Sequence, residues 1–148
     1  MPPRIHTVWQ RRFLITSHVL TAFFDACYLA MAVLAYRKST DLLWRFLLFS
    51  AIPFLLVTLL RLLIAAPRPS TAGRKSTKKN SFPSRHAFSA FFVAMLAFFF
   101  GARFSYILLA FAIFLSASRV LSGKHYPRDV VAGAALGVIL GTVILVLL

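Results

Sequence analysis

Glutamate is absent from this sequence of 148 residues, and aspartate occurs only three times, at Asp25, Asp41 and Asp129. Against these three acids stand 17 lysines and arginines, so the formal net charge is +14. Such an imbalance predicts anionic partners, and the shortage of carboxylates leaves few ligands for a metal centre. Cysteine is nearly absent as well. Cys27 is the single one, which excludes an internal disulfide and predicts a buried, inert thiol.

Apolar residues make up 60% of the chain, and the mean hydropathy of +0.83 is far above that of a soluble domain. Crossing about 30 Å of hydrocarbon takes about 20 largely apolar residues. Five stretches of this kind run from Phe13 to Tyr36, Leu42 to Ala66, Ser84 to Gly101, Phe104 to Leu121 and Asp129 to Leu148. The sequence therefore predicts an all-α, polytopic membrane bundle of about five transmembrane helices, forming one domain over residues 1–148.

Basic residues collect at helix ends that face one side of the membrane. In the stretch RLLIAAPRP, Arg61 and Arg68 are seven residues apart, which places them on nearly the same helical face at a separation of about 10 Å. The pair could bind one anion, and Arg68 is held stiffly between Pro67 and Pro69. Snorkelling of Arg61 toward lipid headgroups is the structural alternative.

The stretch NSFPSRHAFSA, at the start of the third span, predicts a helix N-terminus with Pro83 in its first turn. Free backbone N–H groups at such an end attract phosphate, so the Ser84 hydroxyl and the Arg85 amide form a cradle beside His86. In the structural alternative, Ser81 or Ser84 caps the helix and His86 is an interfacial polar residue.

The stretch SRVLSGKHYPRD closes the fourth span with Arg119 and leads into the fifth. If Pro127 begins the last helix, Asp129 lies in its first turn and can reach back to His125. A carboxylate in that position fixes the tautomer and orientation of the imidazole, so the other ring nitrogen is free to act as base, nucleophile or metal ligand. The alternative is that Asp129 is a plain N-terminal cap and His125 a loop residue.

Together, the patterns R-x6-RP, PSRH and SR-x5-H-x3-D resemble the three-part signature of the type 2 phosphatidic acid phosphatase superfamily, which includes lipid phosphate phosphatases and vanadium haloperoxidases. The resemblance covers Arg61 to Asp129, close to half the chain. It implies hydrolysis of a phosphomonoester or pyrophosphate at the membrane interface, through a phosphohistidine and without metal or cofactor. The family usually has lysine where Arg61 stands and glycine where Arg85 stands, and the second departure bears on substrate choice.

The resemblance also implies a role for each matched residue. His125 is the implied nucleophile, Asp129 orients it, and His86 is the general acid for the leaving group. The implied ligands of the phosphoryl oxygens are the side chains of Arg61, Arg68, Ser84 and Arg119 and the backbone amide of Arg85. Phosphoryl transfer needs mainly positioning and stabilisation of charge on the equatorial oxygens, which such a set provides.

The implied substrate is a membrane lipid phosphate or diphosphate, and nucleic acid is not an expected partner. Among several candidate lipids we favour an undecaprenyl-type diphosphate over phosphatidic acid, phosphatidylglycerol phosphate and lipid A phosphate, because a short enzyme suits a bulk recycling task. Two alternatives stay open. One is a metal-dependent hydrolase that uses His86, His125 and Asp129 as ligands; the other is a non-catalytic membrane protein whose basic loop, residues 67–82, binds anionic lipid or nucleic acid.

Two criteria for orientation in the cell membrane disagree. Lysine and arginine counts place the basic side in the cytoplasm, whereas bacterial members of the family generally face outward, and we follow the family in expecting an extracytoplasmic site. The family core commonly has six spans, and the register of the motifs implies that its first is missing, with the N-terminus on the side of the site. His18 and Asp25, on one face of the first helix, are expected to face the bundle interior.

Overall fold

The computed structural model describes residues 8–69 and 80–148. Its described part contains five α-helices: α1 (Val8–Lys38), α2 (Thr40–Ile64), α3 (Arg85–Leu96), α4 (Ala102–Leu121) and α5 (Pro127–Leu147). A 3₁₀ turn, Ala97–Phe99, extends α3. Four of the helices are long and apolar enough to cross a membrane, and α3 with its 3₁₀ turn is a shorter apolar helix. The predicted all-α membrane bundle is therefore confirmed, and the chain is a multi-pass membrane protein.

A single residue, Ser39, separates α1 from α2. Its backbone is extended and its hydroxyl accepts the N–H of Leu42 at 3.0 Å, which caps α2. Asp41 in the first turn of α2 pairs with Arg45 at 2.9 Å. At its other end α2 stops at Ala65, whose left-handed backbone lets its N–H bond back to the carbonyl of Arg61.

Helix α3 lies at the centre of the bundle, and seven of its side chains are buried. Phe88 and Phe92 stack on each other at 5.5 Å, and Phe54 of α2 meets both rings edge-on. The stretch from Arg85 to Phe99 rises only about 22 Å at 1.5 Å per residue, less than the hydrocarbon thickness. Because other helices surround α3, its ends need not reach the membrane surfaces.

The start of α3 differs from the prediction. Pro83 was expected in the first helical turn, but the helix begins at Arg85 and Ser84 precedes it with an extended backbone. The amide of Ser84 donates to the main-chain carbonyl of Asp129 at 2.8 Å. Ser84 is thus the N-cap of α3, its amide is bonded to a neighbouring helix, and the first turn begins two residues after Pro83.

The inward face of α1 was partly mispredicted. His18 and Asp25 are exposed, because the face that packs on the bundle carries the residues immediately before them. Asp25 nevertheless borders a cavity between α1, α2 and α3. The buried positions of α1 are Ser17, Leu20, Phe24, Cys27, Met31 and Ala35. Cys27 is a free, buried thiol, as the sequence predicts. Large apolar side chains on the outer faces, such as Leu63 at 74% and Val146 at 81% exposure, face the lipid.

Helix α5 approaches α3 through three glycines spaced four residues apart, Gly133, Gly137 and Gly141. A Cβ placed at Gly137 would lie 2.6 Å from the carbonyl oxygen of Phe88, and one at Gly133 would collide with the carbonyl oxygen of Ser84. Small residues permit such close backbone contact between membrane helices. Sequence reasoning missed this stripe, although the stretch GAALGVILG displays it. The glycines set the distance between the starts of α3 and α5.

We expect Gly137→Ala to lower the free energy of unfolding by about 1–3 kcal/mol, because the added methyl group meets backbone atoms of α3 that cannot turn aside. Denaturant titration in detergent micelles measures this. The matched control is Gly101→Ala, since a Cβ at Gly101 has no neighbour within 4 Å and should change the value by less than about 0.5 kcal/mol. Equal effects of the two substitutions would contradict the close-approach explanation.

Candidate active site

The three sequence motifs meet at one end of the bundle. Arg61, in the last turn of α2, donates from Nη1 to the carbonyl of Pro83 at 2.9 Å and from Nη2 to the carbonyl of Asn80 at 2.6 Å. The Ser84 amide joins the start of α3 to the first turn of α5 through Asp129. The end of α2, the start of α3 and the start of α5 are thus held together by hydrogen bonds.

His125 and Asp129 lie at the start of α5, and both are buried. Pro127 occupies the first position of this helix, as predicted. The distance from His125 Nδ1 to Asp129 Oδ2 is 3.6 Å, which is close enough for strong electrostatic interaction but longer than a hydrogen bond. The carboxylate also accepts the backbone N–H of Tyr126 at 3.1 Å.

Ser81 stands beside this pair. Its Oγ donates to Asp129 Oδ2 at 2.5 Å and lies 3.4 Å from His125 Nδ1. Sequence reasoning considered Ser81 only as a possible helix cap, and its place two residues before Pro83 gave no further signal. A serine that contacts both members of the pair is a feature that only the fold shows.

Arg119, in the last turn of α4, is only 4% exposed. Its Nη1 donates to Ser17 Oγ of α1 at 3.1 Å, and the Ser17 hydroxyl in turn donates to the carbonyl of Leu14 at 2.8 Å. Helix α1 therefore orients this guanidinium. Ser17 was missed in the sequence, since a lone serine in a long apolar stretch matches no motif.

His86 is half-buried at the second position of α3, and the Arg85 side chain before it is exposed. The N–H of Phe88 bonds back to the carbonyl of Ser84 at 3.0 Å, so the amides of Arg85 and His86 belong to the helix end, where N–H groups lack intrahelical acceptors. The Ser84 amide, which the predicted cradle did not include, donates to the carbonyl of Asp129. Its hydroxyl makes no capping bond.

Several buried polar atoms at this end have no hydrogen-bond partner among the described residues. They are Arg68 Nε, Ser84 Oγ, Arg119 Nε and Asp129 Oδ1. Buried polar groups in native proteins are nearly always paired, and the first three can donate to an oxyanion. The arrangement suits a phosphoryl group, whose oxygens would accept these bonds.

The electrostatic environment of His125 favours the neutral imidazole. Burial lowers the pKa of His125, the charges of Arg119 and Arg68 lower it further, and Asp129 partly opposes them. At neutral pH the ring therefore keeps a nitrogen lone pair, as a nucleophile or base requires.

The structure bears on the metal-dependent alternative but hardly on the alternative of a basic loop that binds anions. Within residues 8–69 and 80–148, no group of three or more His, Cys, Asp or Glu side chains is placed to hold a metal ion, and this includes the set His86, His125 and Asp129. Most of the basic loop, residues 70–79, lies outside the described residues. Metal-free chemistry and the role of each site residue stay predictions.

Sequence comparison relates the chain to a family. The model of the PAP2 superfamily matches residues 43–148. The chain is 45% identical over 60 residues to the bacitracin transport permease protein BcrC of Bacillus licheniformis, a match over 40% of this chain and 30% of that protein. It is 46% identical over 59 residues to the lipid A 1-phosphatase of Rhizobium etli, over 38% of this chain and 25% of that protein. The matches thus span less than a third of either relative.

Two crystal structures have a similar fold. The first transmembrane PAP2 type phosphatidylglycerolphosphate phosphatase from Bacillus subtilis superposes with a TM-score of 0.73 at 25% identity, over 95% of this chain and 77% of that one. Aquifex aeolicus LpxE gives a TM-score of 0.53 at 24% identity, over 98% and 99% of the two chains. The helical arrangement described above is therefore one that other membrane proteins share.

We expect His125 to titrate below the ordinary histidine pKa of about 6.5, and Arg68→Ala to raise its pKa, because the substitution removes a nearby positive charge. Nuclear magnetic resonance of the protein labelled in its four histidines measures both, with His125→Gln identifying the signal. The control is Arg103→Ala. Arg103 is exposed at the start of α4, at the far end of the bundle, so its replacement should leave the pKa of His125 unchanged. A pKa of His125 at or above 6.5 would contradict this description of the site.

Proposed function

This chain belongs to the PAP2 superfamily, whose model matches residues 43–148, and on that premise we propose that it hydrolyses a membrane lipid phosphate or diphosphate through a phosphohistidine, without metal. The observation that carries the proposal is that Arg68, Ser84 and Arg119 each have a buried donor with no partner among the described residues, at the end of the bundle where His125 is buried beside Asp129. Those donors and that nucleophile are what phosphoryl transfer to a histidine requires.

The proposed reaction has two steps. The bound phosphate places negative charge beside His86, which allows the imidazole to take up a proton. The Nε2 lone pair of His125 then attacks phosphorus while the bond to the lipid oxygen breaks, and the protonated His86 gives its proton to that oxygen. In the second step His86 takes a proton from water, which attacks phosphorus and breaks the P–N bond. Inorganic phosphate leaves and His125 returns to its neutral form.

Charge in the site suits this substrate class. Arg61, Arg68 and Arg119 all act electrostatically on His125, and Asp129 is the one acidic group that opposes them. The surplus of positive charge fits a phosphate dianion and the further charge that spreads over the equatorial oxygens in the transition state. Arginine also offers paired N–H groups that match two phosphate oxygens at once.

The membrane setting supports a lipid as the molecule that carries the phosphate. A cavity of about 440 Å³ lies between α1, α2 and α3, lined largely by apolar side chains such as Phe24, Leu47 and Phe54. Ser89, which borders the cavity, is one turn from His86 and donates to its carbonyl at 3.3 Å. An apolar chain attached to a phosphate at the site could occupy this space. Two of the proteins similar to this chain are named as phosphatases of lipid A and of phosphatidylglycerol phosphate, which supports the same class of substrate.

Within that class we propose a diphosphate of the undecaprenyl type. The support is Arg85, which stands where the family usually has glycine and leaves its guanidinium exposed at the mouth of the site. A second phosphate, farther from His125 than the first, would meet a positive charge there. We also propose that the site lies on the extracytoplasmic face of the membrane, because the sites of bacterial family members generally face outward.

The roles of the two histidines predict different responses to the leaving group. His125→Ala should abolish turnover of every substrate, whereas His86→Ala should fail mainly on substrates whose leaving oxygen needs a proton. A phosphate ester of an activated phenol should therefore restore turnover to His86→Ala by about tenfold or more relative to an alkyl ester. The measurement is the ratio of kcat/KM for the two esters in each variant.

Asp129→Asn serves as the graded variant in that series, because it disturbs the imidazole without removing the nucleophile. Its activity should lie between those of wild type and His125→Ala on both esters. Equal recovery of both histidine variants on the activated ester would refute the assignment of roles.

Arg85→Gly should reduce kcat/KM for a polyprenyl diphosphate by about tenfold or more, the scale of one lost hydrogen bond to a charged group, while the value for the matching monophosphate changes little. The control is Arg12→Ala, another exposed arginine on the N-terminal part of α1, which should affect neither substrate. If Arg85→Gly lowers both values equally, Arg85 does not select a diphosphate.

A further inference from the structure

Ser81 is buried and bridges the two residues on which the proposed chemistry depends. Its Oγ is 2.5 Å from Asp129 Oδ2 and 3.4 Å from His125 Nδ1, while the direct distance between Nδ1 and Oδ2 is 3.6 Å. The hydroxyl therefore makes the short contact with the carboxylate, and the imidazole does not reach it directly.

The number of protons on the Ser81 hydroxyl and the Asp129 carboxylate decides which group donates in each hydrogen bond. A serine hydroxyl has one proton, and an ionised carboxylate only accepts, so that proton is given to Asp129. What the hydroxyl then presents to His125 is a lone pair. The contact at 3.4 Å is favourable only when Nδ1 carries a proton, which leaves the lone pair of the neutral ring on Nε2.

We propose that Ser81 is a positioning residue of this site, which accepts the Nδ1–H of His125, donates to Oδ2 of Asp129 and so selects the tautomer in which Nε2 is nucleophilic. This inference rests on the proposed function, since it assigns Ser81 a part in the same reaction. Asp129 acts on the imidazole through the serine as well as by its charge.

The backbone around Ser81 is held in a way that suits this role. Its own N–H donates to the carbonyl of Ala66 at 2.9 Å. Arg61 donates to the carbonyls of Asn80 and Pro83, one on each side of the serine. A guanidinium spans two carbonyls with its two Nη atoms, which a single ammonium does less well. The arginine that replaces the family's usual lysine thus secures the segment that carries the hydroxyl.

The test is the tautomer of His125, which imidazole nitrogen resonances report directly in the histidine-labelled protein. In wild type the neutral ring should carry its proton on Nδ1. Ser81→Ala should raise the ratio of the Nε2–H to the Nδ1–H form by about tenfold and lower kcat on short-chain phosphatidic acid in micelles by about 10- to 100-fold, the scale of one hydrogen bond to a charged group. KM should change by less than about threefold, because the proposed role of the hydroxyl is to position His125 and Asp129 and not to bind the substrate.

Two further variants separate positioning from a general loss of structure. Ser81→Thr keeps the hydroxyl and should retain the wild-type tautomer with most of the activity. Ser105→Ala removes another buried hydroxyl, which bonds to the carbonyl of Gly101 at the start of α4, at the opposite end of the bundle, and should alter neither readout.

A wild-type ring protonated on Nε2 overturns the inference, and so does a Ser81→Ala protein with an unchanged tautomer ratio. If Ser81→Ala does not fold, the wild-type tautomer still decides the matter. The tautomer does not depend on turnover. An inactive wild type with the Nδ1–H form would therefore contradict the proposed function while supporting the arrangement of Ser81. An active wild type with the Nε2–H form would support phosphatase activity while overturning both the role of Ser81 and the attack by Nε2.

Discussion

Asp129 is the point on which the site depends, because its backbone and its side chain connect different parts of the bundle. Its main-chain carbonyl accepts the amide of Ser84 at 2.8 Å, which fixes the start of α3 against α5. Its carboxylate accepts the Ser81 hydroxyl and the Tyr126 amide and lies 3.6 Å from His125. A buried carboxylate is costly unless hydrogen bonds and opposite charge surround it. These contacts satisfy Oδ2, whereas Oδ1 makes no hydrogen bond to the described residues and lies 3.7 Å from Nε of Arg128. The arginines of the site supply further opposite charge.

The arginines are oriented mostly by neutral acceptors. Arg119 donates a hydrogen bond to a serine hydroxyl of α1, and Arg61 donates to two backbone carbonyls. Neutral acceptors fix the position of a guanidinium without cancelling its charge, so the electrostatic attraction for an anion is preserved. The scarcity of carboxylates in the sequence has the same consequence. Mutual repulsion among the arginines is an energetic cost of this arrangement, and binding of a phosphate would relieve it.

Much of this organisation could be predicted from local patterns. The apolar stretches identified the five helices, and the three motifs identified residues that the fold brings together, including Pro127 at the start of α5. What escaped prediction depends on contacts between distant segments. Ser17 and Ser81 are ordinary serines until Arg119 and Asp129 are placed beside them. The helix starts at Arg85, two residues after Pro83, and the Ser84 amide before it is bonded to α5, a contact that no window of sequence contains.

The central claim is that His125 becomes covalently phosphorylated, and rapid quenching with a lipid substrate radiolabelled in its phosphate tests it most directly. A phosphohistidine contains a P–N bond, so the account predicts label on the protein that survives base, is lost in acid and maps to His125. The same experiment on His125→Ala should give no labelled protein. Turnover by wild type without any labelled intermediate at the earliest quench times, or label on a different residue, would contradict the account.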